Sequence, residues 1–157
     1  MTIGFLCLAS EANANGWQRS EETSALTDNT NVFWALPSAN LVPNVLGMEE
    51  RAVLTVMCYQ NETRVLFDVQ NYMGSKAVML SYRIDKGKIL ADFADVSENG
   101  RVFGFWNGRG IPLLKQISSA SNLVISAEPW NKGAVEAVFN ISGINDVVVD
   151  VRKVCGW

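Results

Sequence analysis

The residues of this chain that could do chemistry are its cysteines, its carboxylates and its tryptophans. Histidine is absent, which removes the commonest general base, the commonest metal ligand and the usual activator of a serine or cysteine nucleophile. The sequence also contains no glycine-rich phosphate loop, no G-x-S-x-G segment and no C-x-x-C pair. We therefore expect a protein that is not an enzyme and that holds no cofactor and no metal ion.

Three aspartates could supply the carboxylate pair of a glycoside hydrolase. Asp92 and Asp95 lie close together, with Asp85 upstream, and such an enzyme needs two carboxyl groups ~5 to 9 Å apart across a cleft. The more ordinary interpretation places these residues on water-facing strand positions and in turns, so a carboxylate-dependent hydrolase is the less favoured alternative. Arg83 and Asp85 share one strand face and predict a surface ion pair.

The cysteines bear on the compartment. Residues 1–14 are predicted to be a secretory signal, because residues 3–9 form a short apolar run and the A-N-A segment at 12–14 has the small-x-small form that signal peptidase cuts. Cys7 would be lost with this peptide, leaving a single β-rich domain over residues 15–157. The positively charged region that usually precedes the apolar run is missing. The signal is therefore truncated in this sequence, or the segment is instead a buried N-terminal strand.

In an oxidising compartment the two remaining cysteines, Cys58 and Cys155, are expected to form a disulfide. The bond would close a loop of about 100 residues and stabilise the fold by roughly 4 to 5 kcal/mol in the chain-entropy account. It would also hold a C-terminal helix that would otherwise fray. The alternative is a pair of unpaired, buried thiols.

Residues 134–157 change their hydrophobic period once. Val135, Ala137 and Phe139 alternate with more polar neighbours, as in a strand with one buried face. After Ser142 and Gly143 the apolar residues recur with helical spacing, which predicts a C-terminal helix. The predicted helical stripe consists of Ile144, Val147, Val148, Val151 and Cys155.

The remaining chain has the pattern of short strands joined by polar turns. We expect a mainly β fold (a β-rich α+β domain), formed by an antiparallel sandwich or curled sheet of seven to eight strands with two short helices, the last one C-terminal. Pro37 is expected to end an early strand. Strands are predicted near residues 31–36, 53–60, 63–70, 76–85, 89–95, 101–106 and 122–127, and a helix after residue 110. Loops are predicted at 17–31, with at most a short opening strand around Trp17, and at 38–51.

Charge and aromatic content bear on the partners. The formal net charge is −3 and the pI is about 4.9, whereas nucleic acid and anionic lipid require a clustered basic surface. We expect no nucleic-acid partner and no transmembrane segment, because no segment approaches the ~20 apolar residues of a membrane span. Among the tryptophans, Trp34, Trp106 and Trp157 are expected to pack in the core or at its edge. Trp130 follows Pro129 in a predicted turn and is the candidate for recognition.

Several short segments occur in a characteristic order: Trp17, SALTDNTNV at 24–32, Cys58, YRID at 82–85, FNISGI at 139–144 and VRKVCGW at 151–157. This order resembles the VasI/TagO family of type VI secretion-associated proteins, although Ala25 stands where that family often carries proline. The resemblance spans about residues 17–157. It implies an exported envelope protein of a Gram-negative bacterium, accessory to secretion, and it supplies no catalytic residues.

Together these inferences predict a periplasmic accessory protein that binds a protein partner in the cell envelope and does not catalyse a reaction. We expect the binding surface on a sheet face or on the loop around Thr27 and Asp28. The alternative is a periplasmic inhibitor or ligand-binding module encoded by a prophage. The candidate interaction residues are Thr27, Asp28, Arg83, Asp85 and Trp130.

Overall fold

The structure is a computed structural model that describes residues 11–12 and 16–157. This part of the chain contains ten β-strands and two α-helices. The predicted mainly β class with two helices is confirmed, and the strand count exceeds the expected seven or eight. The predicted signal lies outside the described residues, apart from residues 11–12. The elements are β1 Glu11–Ala12, β2 Gln18–Thr23, β3 Thr30–Pro43, β4 Glu49–Tyr59, β5 Glu62–Asp68, β6 Val78–Ile84, β7 Leu90–Val96, β8 Phe103–Phe105, α1 Gly110–Ile117, β9 Asn122–Ala127, β10 Val135–Asn140 and α2 Ile144–Cys155.

The ten strands of the described residues form one antiparallel sheet in the order β1-β2-β3-β4-β5-β8-β7-β6-β9-β10, which curls without closing. β7 forms the corner, because residues 90–94 pair with β6 and residues 95–96 pair with β8. β10 returns to lie against β3. There the Asn40 side chain donates to the Glu136 carbonyl oxygen at 2.9 Å and accepts the Val138 N–H at 2.8 Å. Of the two expected architectures, the molecule adopts the curled sheet.

The inner face of the sheet carries the predicted alternation of apolar residues. Val65, Phe67 and Val69, within and just after β5, are all buried. The Phe67 ring centroid lies 5.7 Å from that of Phe103 and 6.2 Å from that of Phe139. Each large apolar side chain buried in this way contributes roughly 1.5 to 3 kcal/mol. Aromatic rings from β5, β8 and β10 therefore join both halves of the sheet in one core.

The C-terminal helix α2 has the predicted position and the predicted buried face. Cys155, in its last turn, forms the expected disulfide with Cys58 of β4, and their Cα atoms are 5.7 Å apart. Gly156 ends the helix with a φ of +74°, and its N–H donates to the Arg152 carbonyl oxygen at 2.8 Å. No helix among the described residues is long and apolar enough to cross a membrane. The buried residues of α2 are Ile144, Val147, Val148 and Val151.

Polar contacts add to the disulfide in fixing α2 against the sheet. Asp150 accepts hydrogen bonds from Arg19 Nε at 2.8 Å and from Trp34 Nε1 at 2.7 Å. Trp157 Nε1 donates to Thr63 Oγ1 at 2.8 Å. These contacts bring β2, β3 and β5 to one helix, and the region around Cys58, Cys155, Asp150 and Trp157 is called the closed end below.

The early strands differ from the sequence-based prediction. The predicted loop at 38–51 is wrong, because β3 continues to Pro43 and β4 begins at Glu49, and the predicted loop at 17–31 contains β2. Pro37 does not end β3 but lies beside an irregularity in its pairing with β4, where a residue without an N–H is tolerated. Ser38 Oγ bridges the irregularity, since it accepts the Ala52 N–H at 2.9 Å.

Candidate functional site

The predicted interaction residues do not form one site. Thr27 and Asp28 lie in the turn between β2 and β3, where Asp28 has a φ of 59°. Ser24 Oγ orders this turn by accepting the N–H groups of Leu26 and Thr27 at 3.2 and 3.3 Å. Leu26 projects from the turn and is 92% exposed. The turn is therefore an ordered hairpin tip with a single large apolar side chain.

Arg83 and Asp85 lie at the end of β6 and the start of the turn that follows. The predicted ion pair between them is wrong, because each binds backbone groups instead. Arg83 Nε donates to the Gly87 carbonyl oxygen at 2.7 Å, and Asp85 Oδ1 accepts the N–H groups of Ser121 and Asn122, both at 2.9 Å. Arg83 thus binds the end of β6 to the turn that follows, and Asp85 joins that turn to the start of β9.

The other two aspartates of the hydrolase hypothesis share a cation. Arg109 lies 3.4 Å from Asp92 Oδ1 and 3.3 Å from Asp95 Oδ2, and it also donates to the Phe93 carbonyl oxygen. A guanidinium group thus occupies the space between the two carboxylates, where a hydrolase would place the scissile bond. Among the described residues there is also no group of acidic residues and cysteines that could hold a metal ion. This geometry gives the hydrolase alternative no support.

Trp130 lies in the connection between β9 and β10 and is 62% exposed. The backbone N–H of Trp130 donates to the Tyr72 carbonyl oxygen at 3.0 Å. The rings of Trp130 and Tyr72 meet edge to face with centroids 6.3 Å apart. Tyr72 in turn rests on Gly100, where a Cβ atom would lie 2.2 Å from the tyrosine ring. Because a Cβ atom at position 100 would clash with the tyrosine ring, Gly100 is what allows Tyr72 to lie here beside Trp130.

Three loops meet at the end of the sheet that carries Trp130. They are the β3–β4 turn at 44–48, the β5–β6 connection at 69–77 and the β9–β10 connection at 128–134. Asn71 joins them, because its Nδ2 donates to the Pro43 carbonyl oxygen at 2.7 Å and its Oδ1 accepts from Lys132 Nζ at 3.0 Å. We call this region the apolar loop end, after its exposed side chains Val45, Leu46, Met48, Tyr72 and Trp130.

The apolar side chains of the β3–β4 turn are held outward by the backbone. Asn44 Oδ1 accepts the N–H groups of Leu46 and Met48 at 2.9 and 3.0 Å. Gly47 supplies the left-handed conformation that closes the turn, with a φ of +76°. Leu46 is 80% exposed and Met48 is 63% exposed. Large apolar side chains are thus exposed to water at a hydrogen-bonded hairpin tip.

A groove of about 630 Å³ adjoins this region on the outer face of β6 and β9. Ser81 and Ser126, which are paired in register across the two strands, lie on its floor. Trp130 and Met79 border it. The aromatic pair therefore stands between the exposed hairpin tip on one side and a groove on the other.

Comparison with protein families identifies the chain. The family described as Type VI secretion system VasI, EvfG matches residues 8–157. The chain belongs to the VasI family. The resemblance noted in the sequence is thereby confirmed, and VasI membership makes this a type VI secretion-associated protein. No curated protein matches the chain.

A solved structure of another protein has a fold similar to that of this VasI chain. The crystal structure of invasion-associated protein B from Bartonella henselae matches with a TM-score of 0.57 at 8% sequence identity, over 88% of this chain and 92% of that chain. At this identity the likeness concerns the fold alone. The curled sheet with its two helices is therefore an architecture that VasI shares with a protein of nearly unrelated sequence.

Two residues near the closed end of this VasI protein, Arg19 and Glu62, have displaced pKa values. The hydrogen bond that Arg19 donates to the Asp150 carboxylate raises the pKa of Arg19 above its ordinary value. Burial would raise the pKa of Glu62, but the Asn107 N–H at 2.5 Å and Arg64 at 2.9 Å outweigh it, so the pKa of Glu62 lies below its ordinary value. In both cases the cause is a contact that joins separate elements of the fold.

Sequence reasoning singled out Trp130, whose role in recognition stays a prediction, and did not single out the β3–β4 turn. The signal was present, because Val45, Leu46 and Met48 surround Gly47 in a segment too short to be a strand or a helix. Turns of this length are normally built from polar residues. Three large apolar side chains in such a turn are the signal that marks this exposed surface.

Proposed function

We propose that this VasI-family protein is exported to the periplasm of a Gram-negative bacterium and binds a protein partner in the cell envelope as an accessory of type VI secretion. The observation that carries the proposal is the apolar loop end, where five large apolar side chains are held in water by cross-bonded loops. Soluble monomers rarely expose such groups of apolar side chains unless a partner covers them.

The composition of the apolar loop end favours a protein as the partner. Tryptophan, tyrosine and methionine are enriched at the centres of protein interfaces, whereas charged residues form the rim. Trp130, Tyr72 and Met48 have the first character. Glu49 and Lys132 flank them as exposed residues of opposite charge, as expected of a mixed rim.

Export is supported by the disulfide, since such bonds persist in oxidising compartments and are rare in the cytosol. The apolar run at residues 3–9 and the A-N-A segment at 12–14 have the form of a signal. The test is to fractionate cells that produce the native gene and to sequence the N-terminus of the recovered protein. We expect a periplasmic protein that begins at Asn15, and recovery from the cytosol with the leader intact would contradict export.

The binding surface can be tested by site-specific photo-crosslinking in cells. A photo-reactive amino acid at position 46 is expected to form a covalent adduct with one envelope protein, which is then identified by mass spectrometry. The matched control is position 26, because Leu26 is a more exposed leucine at a hairpin tip outside the apolar loop end. Adducts at both positions, or at neither, would contradict the assignment of the surface.

A further inference from the structure

The groove beside Trp130 has features that the proposed protein contact does not use. It runs over the outer face of β6 and β9, and its floor is formed by the paired residues Ser81 and Ser126. Ser75, Lys76 and Glu128 line its sides. Its volume of about 630 Å³ lies within the range of about 300 to 1,000 Å³ that is typical of ligand-binding pockets.

The polar side chains of the groove are free, in contrast to those nearby. Within residues 11–12 and 16–157, the structure gives no side-chain hydrogen bond or ion pair to any of the five polar residues that line the groove. By contrast, Asn71 and Lys132, in the adjoining loops, bond to each other at 3.0 Å. The free groups supply hydroxyl, carboxylate and ammonium functions to anything that enters the groove. They belong to Ser75, Lys76, Ser81, Ser126 and Glu128.

The strand pairing excludes one common mode of peptide recognition at this place. β6 is paired with β7 on one side and with β9 on the other, and β9 is also paired with β10. The backbone N–H and carbonyl groups beneath the groove are therefore used within the sheet, so a peptide strand cannot be added there. A ligand must be recognised by the side chains alone.

The side chains available suit a sugar chain. Hydroxyl and carboxylate groups pair with sugar hydroxyls, and the exposed ring of Trp130 offers an apolar face on which the C–H face of a sugar ring can pack. Lys76 and Glu128 have opposite charges that cancel across the groove. We propose that the groove binds a neutral oligosaccharide segment of an envelope polysaccharide, with Trp130 as the stacking platform and Glu128 as a hydrogen-bond acceptor.

This site is separate from the contact proposed at the β3–β4 turn, because Leu46 does not line the groove. Both proposals rest on the proposed export to the envelope, but failure of binding at one site leaves the other site standing. Trp130 borders both surfaces, so it cannot distinguish them. Glu128→Gln and Ser126→Ala test the groove alone, and Leu46→Ser tests the turn alone.

The test is isothermal titration of the purified, oxidised protein with three soluble probes: the tetramer of N-acetylglucosamine, maltotetraose and a sulfated anionic tetrasaccharide. We expect saturable binding of a neutral probe, which Trp130→Ala and the Glu128→Gln/Ser126→Ala double variant weaken by about tenfold or more. Leu46→Ser should bind as the wild type does. Selectivity for the amino-sugar tetramer would indicate a cell-wall glycan, and selectivity for maltotetraose would indicate a glucan.

Three results would overturn the proposal: no saturable binding of either neutral probe, tighter binding of the anionic probe, or equal affinity in the groove variants and the wild type. Far-ultraviolet circular dichroism of each variant controls for folding. Because the substituted side chains are at least partly exposed, these variants should retain the wild-type spectrum.

Discussion

The two ends of the molecule use their aromatic and polar residues in opposite ways. At the closed end, Trp34 is buried and its indole N–H is bound by Asp150, beside the disulfide. At the apolar loop end, the backbone N–H of Trp130 binds the Tyr72 carbonyl oxygen and the Leu46 N–H binds the Asn44 side chain, and the side chains of Trp130 and Leu46 face water. The two ends lie far apart along β3. Cys58 pairs with Val32 near the start of this strand, and the β3–β4 turn follows Pro43, roughly 35 Å from Val32 along the strand.

This contrast places the contacts that stabilise the fold at one end of the sheet and the exposed apolar side chains, where we propose binding, at the other. Contacts at the closed end join elements that are distant in sequence, so their removal should weaken the whole fold. At the apolar loop end, Val45, Leu46 and Met48 are exposed, so their replacement should leave the fold intact, whereas Tyr72 packs on Gly100 and against Trp130. Variants at the two ends test this contrast. Their effects on the free energy of unfolding should decrease from the closed end to the apolar loop end.

The largest effect is expected from Cys155→Ser. Loss of the disulfide frees a loop of about 100 residues in the unfolded chain, which lowers the free energy of unfolding by up to about 4 to 5 kcal/mol. The melting temperature should fall by roughly 10 °C, as measured by differential scanning calorimetry without reductant. Cys58→Ser and the double variant should have the same melting temperature as Cys155→Ser. A wild-type melting temperature in any of these variants would show that packing alone holds α2.

A smaller effect is expected from Asp150→Ala. The substitution leaves Arg19 Nε and Trp34 Nε1 without their carboxylate, which should cost about 2 kcal/mol of unfolding free energy in urea denaturation. Asp146→Ala is the control, because Asp146 lies in the exposed first turn of the same helix. That control should lose only a few tenths of a kcal/mol. Equal losses in the two variants would mean that the Asp150 contacts do not stabilise the fold.

The effect of Glu62→Gln is expected to depend on pH. The folded-state pKa of Glu62 lies below its ordinary value, so its contribution to stability is present above the unfolded pKa, about 4.3, and is lost as the pH falls through the folded value. Wild type and variant should differ by less than about 1 kcal/mol near pH 7. The difference should shrink below about pH 4. An identical difference at pH 3 and pH 7 would contradict this origin.

The smallest effect on stability is expected from Leu46→Ser. The side chain is 80% exposed, so the free energy of unfolding should stay within about 0.5 kcal/mol of the wild-type value. Leu26→Ser, at the other hairpin tip, should behave in the same way. A loss above about 1 kcal/mol in Leu46→Ser alone would show that the β3–β4 turn supports the fold and would weaken the contrast between the two ends.

The sequence predicted the parts of the fold that depend on local period. α2 was found at its correct position because its apolar spacing is helical, and the disulfide followed from the two remaining cysteines. The predicted strand ends at Pro37 because proline normally ends a strand, whereas β3 continues past it, with Ser38 Oγ bound to the Ala52 N–H and Arg51 bound to the Ser38 and Ala39 carbonyl oxygens. Contacts such as Arg19 with Asp150 join residues distant in sequence, so no local pattern announces them.

The candidate site was only partly predictable for the same reason. Trp130 could be singled out by its place after Pro129, but its assembly with Tyr72 depends on Gly100 and on a turn from another part of the chain. Thr27 and Asp28 were chosen from the family pattern. They lie on an ordered tip outside the apolar loop end. The place of the β3–β4 turn in the apolar loop end depends on three loops that come from separate parts of the chain and meet only in the folded protein.

The most direct test of the account is type VI secretion in a strain whose native gene carries Val45→Ser and Leu46→Ser together. We predict that release of type VI substrates falls at least tenfold, while the purified variant keeps the wild-type melting temperature and its disulfide. The Leu26→Ser strain should secrete normally. Wild-type release from a strain whose double variant is folded and abundant would contradict the claim that the apolar loop end is the binding surface.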